Sequence, residues 1–560
     1  MQSIHANENL GPEGGQAATV RFLSDPASYR LSQADLERFD THAAIVVLAG
    51  ADAYKIKRAV TYNYLDFSTL EKRRKAIEHE FEVNRVNAPD TYLGVVPIVR
   101  NPEGNLSFGG AGEVVEWALH MRRFATSAIL SNLFAADPPQ DQAIRDLAQT
   151  VVRLHAGAAQ VITSYEPARI GAIVEELREA LSEFEKRLPP AAVDAFIDRA
   201  HAELDRVRFC LKIRGRRGCI RRCHGDLHLG NIVQIDGKPV VFDAIEFDDE
   251  LATIDVLYDL AFLIMDLDMR GYGQAANLLL NRYLQITRSS LDIYGLAAMP
   301  LFLAIRAGIR AMVALQRGAD GDRPAEDEAW RYLDRALGYL SLRSPMLLAV
   351  GGCSGAGKST LARGLAPIVG DAPGAIHLSS DIERKDLAGA DELQRLGDEG
   401  YTPEVTAAVQ GRLQSKAARI LRGGASVIVD ATFLHAQDRN AIEAIARRLK
   451  IPFAGLWLAV SLPVAQARVE ARRADVSDAT RSVVERQFAA ASPPTDWIQI
   501  DSGGTPEQTL VLAQSYVADW QRSRQLGRSV GEAQRPSLQS EGRGLFCDRW
   551  QQSRSVHCPP

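Results

Sequence analysis

The sequence lacks the features of secreted, membrane-spanning and nucleic-acid-coating proteins. Residues 1–15 contain acids, Asn and Gly where a signal peptide needs an apolar core. The formal net charge of -5 provides no overall cationic field. The longest apolar stretch, Leu296 to Leu315, is interrupted by Arg306 and Arg310, which predicts a buried amphipathic helix and not a membrane span. We therefore expect a cytoplasmic protein with no membrane partner.

Paired cysteine motifs are also absent. The six cysteines include no C-x-x-C pair and no zinc-like spacing, which predicts reduced thiols and excludes a disulfide framework. They are Cys210, Cys219, Cys223, Cys353, Cys547 and Cys558. After Gln521 the chain is rich in Arg, Ser, Gln and Gly without periodicity, so we expect a disordered tail with no chemical role.

The most specific motif is a phosphate-binding loop, G-x-x-x-x-G-K-[ST], which runs from Gly352 to Ser359 without a gap. An apolar run, Met346 to Val350, precedes it and a helical pattern follows, as the motif requires. Lys358 would reach the β and γ phosphates of a nucleotide, and Ser359 would bind magnesium. The predicted ATP-binding residues here are Gly352, Cys353, Ser354, Gly355, Ala356, Gly357, Lys358, Ser359 and Thr360.

Strands and helices alternate around this loop, which predicts a parallel sheet covered on both faces. The strand candidates are Leu347 to Gly351, Ile376 to Ser379, Ser426 to Asp430, Phe453 to Val460 and Trp497 to Asp501. Polar residues follow the strand ends, where such sheets bind ligands. Asp430 is the candidate carboxylate on the magnesium side, and Asp381 the candidate base, with Arg384 binding substrate or phosphate.

A basic segment follows the fourth strand. Arg468, Arg472 and Arg473 would lie on one helix ahead of Asp475 to Asp478. Such a helix suits a lid that closes over the transferring phosphate and brings Arg472 to ATP. The alternative is an exposed basic helix without a role in binding.

The N-terminal half begins with a predicted hairpin, Ala43 to Leu48 and Ala53 to Ala59. Lys55 and Lys57 share one face of its second strand, where they are either solvated edge lysines or phosphate ligands. Glu80, on the predicted helix Leu70 to Val86, would hold the lysine that grips ATP. A further strand, with Glu116 near its centre, is the candidate connector between two lobes and would offer backbone groups to adenine.

The segment from Cys223 to Val233 carries the strongest catalytic signal of this half. Asp226, Asn231 and a later Asp243 have the spacing of a kinase catalytic loop followed by a metal-binding aspartate. Asp226 would accept or orient a hydroxyl proton, while Asn231 and Asp243 would hold magnesium. The alternative is a turn rich in ordinary capping residues.

These motifs resemble two known families. The run from His224 to Asn231 with Phe242 and Asp243 resembles the aminoglycoside phosphotransferase and choline kinase branch of the protein-kinase-like fold, although only Gly50 remains of a glycine-rich loop. The second half resembles small P-loop kinases of the gluconate kinase, zeta-toxin and polynucleotide 5'-kinase type. The whole order is similar to bacterial bifunctional aminoglycoside phosphotransferase/ATP-binding proteins, often labelled AAA-family ATPases.

The resemblance implies an α+β protein-kinase-like bilobal domain, followed by an α/β P-loop domain with a doubly wound parallel sheet. We expect an extension at 1–40, the kinase-like domain at 41–343, the P-loop domain at 344–521 and the tail at 522–560. ATP and Mg²⁺ are the expected cofactors.

Three functions remain open at this stage. The first is a bifunctional phosphotransferase in which each half acts on a hydroxyl of a small molecule. The second is a regulatory ATP-binding protein with an inactive N-terminal half. The third is a nucleic-acid 5'-end kinase, for which the six cations between Lys212 and Arg222 would contact the nucleic acid; otherwise they form a solvated loop.

Overall fold

The computed structural model describes residues 16–32, 35–41, 43–62, 65–319, 321–472 and 476–533. Within it, the residues up to Leu510 form one compact unit and those from Val511 onward a second. The first unit contains both halves predicted from the motifs. The predicted tail from 522 lies partly inside the last helix, which continues to Ala533, and Cys547 and Cys558 lie outside the described residues.

A six-stranded antiparallel sheet with one long helix against it forms the first lobe, in the strand order β1-β2-β3-β8-β6-β7. Its strands, with the small β4–β5 hairpin, are β1 Leu36–Asp40, β2 Ala44–Ala49, β3 Asp52–Lys57, β4 Thr61–Tyr62, β5 Leu65–Asp66, β6 Tyr92–Arg100, β7 Leu106–Phe108 and β8 Glu113–Arg122. The helices are α1 Ala17–Leu23 and α2 Leu70–Arg85. The predicted hairpin and the predicted helix carrying Glu80 are confirmed.

The described structure includes residues of the predicted extension at 1–40, which belong to the first lobe. Strand β1 pairs along its whole length with β2, and Val20 and Leu23 of α1 pack into the core of the lobe. Gln16 is buried and donates from Nε2 to the Lys57 carbonyl at 2.9 Å. Local turn signals suggested an extension, but pairing with β2 incorporates this segment into the sheet.

The second lobe is mainly helical, and the largest apolar core extends from it into the P-loop half. Its helices are α3 Leu130–Ala136, α4 Asp141–Gly157, α5 Glu166–Ser182, α6 Pro190–Arg216, α7 Asp249–Ala252, α8 Val256–Met269, α9 Gly273–Thr287, α10 Ser290–Gly295, α11 Met299–Arg317 and α12 Arg323–Tyr339. Its strands are β9 Gln160–Val161, β10 Ile220–Arg222, β11 Ile232–Ile235, β12 Lys238–Val241 and β13 Thr253–Asp255.

The apolar segment Ser290–Arg317 is long and hydrophobic enough to cross a membrane, but 67% of its most apolar window is buried inside the protein. The contacts of Arg306 show how this core helix accommodates an arginine. Arg306 lies over the Tyr258 ring at 3.9 Å and donates to the Tyr258 carbonyl, so its charge remains inside the fold with polar and π partners. The predicted buried helix is confirmed.

A five-stranded parallel sheet forms the centre of the P-loop half, with its strands in the order β15-β16-β14-β17-β18. Its strands are β14 Leu347–Gly351, β15 Ile376–Ser379, β16 Val427–Asp430, β17 Phe453–Ala459 and β18 Ile498–Asp501. The helices are α13 Lys358–Leu365, α14 Ser380–Leu387, α15 Pro403–Arg422, α16 Ala436–Leu449, α17 Leu462–Glu470, α18 Arg481–Ala490 and α19 Pro506–Ala533. Every predicted strand occurs within a residue or so of its expected position.

Glu166, at the start of α5, makes the stability of the protein depend on pH. Burial, helped by the negative charge of Asp255, raises the pKa of Glu166 to about 7 from its ordinary value of 4.5. The folded protein therefore retains this proton where the unfolded chain releases it, so the free energy of unfolding falls as pH rises from 4.5 to about 7.

We expect Glu166→Gln to raise the free energy of unfolding by up to about 3 kcal/mol at roughly pH 8 and to change it little at roughly pH 4. The reason is that the amide replaces a carboxylate whose ionisation opposes folding. Thermal denaturation against pH measures the difference. Glu176→Gln, at an exposed position of the same helix, is the control. A gain that does not depend on pH would contradict the assignment.

Candidate active sites

Two lysines and one glutamate form the centre of the N-terminal site. Glu80 of α2 pairs with Lys55 Nζ at 2.6 Å through Oε1 and with Lys57 Nζ at 2.7 Å through Oε2. Lys55 also reaches Asp243 Oδ1 at 2.9 Å, whereas Lys57 pairs with Glu246. Burial alone would favour the neutral acid, but the two lysines outweigh it and lower the pKa of Glu80 to about 2.

The two lysines therefore have different surroundings, which the sequence left open. Because β3 is a central strand, neither is a solvated edge lysine. Lys55 faces the predicted metal aspartate and keeps 14% of its side chain exposed, whereas Lys57 keeps 3%. Burial opposes the charge of Lys55, but Asp243 and Glu80 outweigh it and raise its pKa well above the ordinary value. Lys55 is therefore the lysine that contacts the predicted metal aspartate.

We expect Lys57→Met to lower the free energy of unfolding by about 3 kcal/mol, because it leaves the buried Glu246 carboxylate without its cation. Lys55→Met is the matched variant on the same strand face. Its expected effect is a smaller loss of stability and a larger loss of nucleotide affinity. Thermal melts and nucleotide titrations separate the two. Equal loss of stability from both variants would contradict this division.

The catalytic-loop residues Asp226 and Asn231 contact each other. Asn231 Nδ2 donates to Asp226 Oδ2 at 2.9 Å and to the Asp226 carbonyl at 3.0 Å, so the amide oxygen is the atom directed to other ligands. His228 lies 3.4 Å from Asp226 Oδ2. Burial opposes ionisation of Asp226, but the hydrogen bond and charge of His228 outweigh it and lower the pKa to about 2. Asp226 is therefore a carboxylate throughout the physiological pH range.

The β11–β12 hairpin brings Asp243 to the same place. The Phe242 N–H donates to the Asn231 carbonyl at 3.0 Å, which closes the open end of the hairpin. Asp243 follows with a φ of 60°, in the left-handed region, and its N–H donates to the Tyr92 hydroxyl at 3.0 Å. This backbone turn directs the carboxylate towards Lys55 of the other lobe.

Asp259 of α8 hydrogen-bonds the backbone of the predicted catalytic loop. Its oxygens accept from the Gly225 N–H at 2.9 Å and the His224 N–H at 3.3 Å, and it is fully buried. Gly225 has a φ of +85°, and a Cβ there would meet Ile245 at 2.9 Å, so the turn requires glycine. No sequence motif indicated Asp259, because an aspartate in a largely apolar helix has no distinctive spacing.

The placement of Glu116 at an adenine-binding connector is wrong. Glu116 lies inside β8, fully buried, where Arg73 Nε donates to its oxygens at 2.9 and 3.1 Å. The connector is the next segment, 122–125, which with the β2–β3 turn at 50–52 lines a cleft of about 520 Å³. Strand β8 runs from Glu113 to Arg122 with Glu116 in its interior, so the chain leaves the sheet only after Arg122.

The basic segment from Lys212 to Arg222 is partly internal. Arg214 is fully buried and forms a two-pronged ion pair with Asp255 at 2.6 and 2.7 Å. Arg221 donates to the His155 carbonyl and Arg222 to Asp249. Three of the six cations therefore serve the fold, whereas Lys212, Arg216 and Arg217 are exposed.

The phosphate-binding loop of the second half forms the turn between β14 and α13. Gly355 has a φ of +86°, and a Cβ there would meet the Ala465 carbonyl at 2.5 Å. Lys358 Nζ donates to the Cys353 carbonyl at 3.1 Å. Burial lowers the pKa of Lys358, while the charges of Asp381 and Asp430 oppose that shift. The loop therefore holds a desolvated ammonium group on which the charges of two carboxylates act.

Asp430 lies at the end of β16, beside Ser359 and two residues of β15. Ser379 Oγ donates to Oδ1 at 3.3 Å, and His377 Nε2 hydrogen-bonds Oδ2. Burial opposes its ionisation, but His377, Lys358 and a hydrogen bond from Ser359 outweigh burial and lower the pKa of Asp430. A carboxylate beside a serine hydroxyl is an oxygen-donor pair suited to a hard divalent cation.

The predicted base, Asp381, is on the first turn of α14. Burial and the nearby Asp430 raise its pKa, against the opposing effect of Lys358 and a hydrogen bond from Ser477. Asp478, next in the chain, accepts from Lys385 Nζ at 2.6 Å and from the Tyr401 hydroxyl at 2.9 Å. The 476–478 segment therefore packs beside α14, the helix that carries Asp381.

The arginines predicted to share a lid helix do not all lie on it. Helix α17 ends at Glu470, so Arg468 is helical and Arg472 is not, while Arg473 lies outside the described residues. Arg468 donates to the Gly504 carbonyl at 2.6 Å, and the charge of Arg472 helps to lower the pKa of Lys358. Gln487 of α18, which no motif indicated, accepts from the Ser354 N–H at 2.7 Å.

Fold and sites together define a protein with two kinase-type domains. The model of the phosphotransferase enzyme family matches residues 76–294, and that of the AAA domain matches residues 347–494. Uncharacterized proteins of Mycobacterium tuberculosis (strain ATCC 25618 / H37Rv) and Mycobacterium bovis (strain ATCC BAA-935 / AF2122/97) are 31% identical over 486 residues, which cover 84% of this chain and 93% of theirs. The chain belongs to their family, in which an aminoglycoside phosphotransferase-like domain precedes a P-loop kinase-like domain.

Two solved structures match one half each. A gluconokinase from Sinorhizobium meliloti 1021 is 21% identical over 35% of this chain and 100% of its own, with a TM-score of 0.24. The GDP complex of aminoglycoside 2'-phosphotransferase-IIIa is 15% identical over 54% of this chain and 92% of its own, with a TM-score of 0.34.

Proposed function

We propose that each half of this cytoplasmic protein transfers the γ-phosphoryl group of ATP to a hydroxyl group of a small molecule. The supporting observation is that both halves bring a lysine and several carboxylates to one place. Lys55 contacts Asp243 in the first half, and in the second the charges of Asp381 and Asp430 act on Lys358 and oppose the lowering of its pKa by burial. Phosphoryl transfer depends on this combination of charge stabilisation and positioning.

The residues present fit a magnesium nucleotide in both halves. In the first half, Asn231 and Asp243 would hold the ion, and in the second, Ser359 and Asp430. Mg²⁺, when bound, supplies positive charge that offsets the charge on the phosphates. The lysines grip phosphate oxygens, and in the second half the backbone N–H groups of the loop add further donors.

The two carboxylates that face the acceptor have different proton affinities. Asp226, with a pKa of about 2, is a weak base that orients the hydroxyl and takes its proton only late in the transfer. Asp381 has a raised pKa and is the stronger proton acceptor. The halves therefore use a positioning carboxylate and a general base, respectively.

The test uses the full-length protein with ATP and a panel of hydroxyl compounds, including sugars, sugar acids, amino alcohols and oligonucleotides. Phosphorylated product that falls in separable parts with Asp226→Asn and with Lys358→Ala supports two transfer sites. Equal loss of all product from either change argues against independent sites. Two bound nucleotides without product across the panel would favour a regulatory ATP-binding protein. Phosphate label on the 5' ends of the oligonucleotides would favour a nucleic-acid kinase.

A further inference from the structure

Helix α9 of the phosphotransferase half lies between the two candidate sites and hydrogen-bonds towards both. Its Asn277 and Asn281 hydrogen-bond residues of the P-loop half. Its Tyr283 hydrogen-bonds His155, which contacts the residue that supports the catalytic loop. All three side chains are buried, with at most 6% of each exposed. Buried polar groups with complete partners hold one arrangement, because losing a partner costs the full desolvation penalty.

The contacts of Asn281 replace a missing strand. Strand β15 is at the edge of the parallel sheet, so its outer backbone groups have no neighbouring strand. Asn281 Oδ1 accepts from the His377 N–H at 2.8 Å, and its Nδ2 donates to the Ala375 carbonyl at 3.1 Å. Asn277 Nδ2 donates to the same carbonyl at 3.0 Å. The two amides of α9 therefore fix the backbone from which His377 projects.

His377 connects this edge to the P-loop site. Its ring is buried, and Nε2 hydrogen-bonds Asp430 Oδ2 while Ser379 holds Oδ1. Both oxygens of Asp430 are thus oriented by β15, the strand that Asn281 anchors. A carboxylate that must meet a metal ion depends strongly on such supporting bonds.

The opposite face of α9 supports the catalytic loop of the first half. The Tyr283 hydroxyl lies 3.0 Å from His155 Nδ1, and His155 Nε2 lies 3.2 Å from Asp259 Oδ2. Asp259 in turn accepts from the loop backbone at Gly225. One helix therefore supports both sites through buried side chains.

We propose that His377 is a positioning residue for Asp430, and that Asn281 of the phosphotransferase half completes the P-loop site by anchoring the strand that carries His377. The proposal rests on the proposed function only in assigning Asp430 to the magnesium side of the site. It makes the P-loop half dependent on the other half for its geometry, and not merely joined to it.

The test measures the magnesium requirement of the P-loop site in the full-length chain. Turnover is measured in an Asp226→Asn background, so that only the P-loop half contributes. Binding is measured with a fluorescent ATP analogue, and the part of the signal that Lys358→Ala removes is assigned to the P-loop site. We expect His377→Leu and Asn281→Leu to raise the half-saturating Mg²⁺ concentration by about 10- to 100-fold. His377→Gln keeps a donor near Asp430 and is expected to recover most of the loss.

Arg282→Ala is the matched control. Arg282 is the next residue of α9 and pairs with Glu392 of the P-loop half, but it contacts neither β15 nor Asp430 among the described residues. An equal rise in the Mg²⁺ requirement for Arg282→Ala, or none for His377→Leu, overturns the proposal. Melting temperatures identify a variant that fails to fold. If Asn281→Leu fails to fold, the comparison of His377→Leu with His377→Gln decides.

The two proposals fail in different ways. If no acceptor is phosphorylated but Mg²⁺-dependent ATP binding still needs His377 and Asn281, the transfer reaction is wrong and the positioning role stands. If product forms in the variants with an unchanged Mg²⁺ requirement, the positioning role is wrong and the transfer reaction stands.

Discussion

Asp226→Asn is expected to lower the phosphoryl-transfer rate of the N-terminal half by about 10²- to 10⁴-fold, with nucleotide affinity nearly unchanged. Asparagine has the same shape and can still accept from Asn231 Nδ2, which donates to Asp226 at 2.9 Å. It cannot take up a proton or carry the charge that orients the acceptor. Product formation in a Lys358→Ala background measures this half alone.

Asp236→Asn is the control for this change. Asp236 is exposed in the β11–β12 turn with a φ of 49°, a conformation that asparagine adopts as readily. It removes the same charge ten residues away and should leave the rate unchanged. A transfer rate that survives Asp226→Asn would show that this carboxylate does not contact the acceptor.

Lys358→Ala is expected to lower transfer by the C-terminal half by at least about 10²-fold and to weaken its ATP binding. The side chain is the cation between Asp381 and Asp430, so its removal leaves two carboxylates repelling the phosphates. ATP titration and product formation in an Asp226→Asn background measure the two effects.

Arg422→Ala removes a positive charge from an exposed position of α15 in the same domain, and we expect no effect on ATP binding. Comparable weakening by both variants would point to a general charge effect on the domain. The P-loop assignment would be contradicted if ATP binding by the second half persisted in Lys358→Ala at wild-type affinity.

Much of the P-loop half could be predicted because its evidence is local. Five short apolar runs were predicted as strands, and each formed a strand of the parallel sheet. The N-terminal half was harder. Period-two alternation placed Lys55 and Lys57 on one face, but only packing against α2 and the 243–246 segment distinguished them. The sequence could not place Glu116, because its partner is a buried arginine on a helix distant in the chain.

By itself, the sequence determined the two kinase-type motifs, the order of the halves and the five strands of the parallel sheet, because these depend on spacings of a few residues. Only the tertiary structure decided which lysine faces Asp243, where the connector lies and which basic residues are internal. It also joined Asn281 to His377, 96 residues along the chain. Such contacts follow from burial and from the need to satisfy every buried polar group, and no local pattern encodes that.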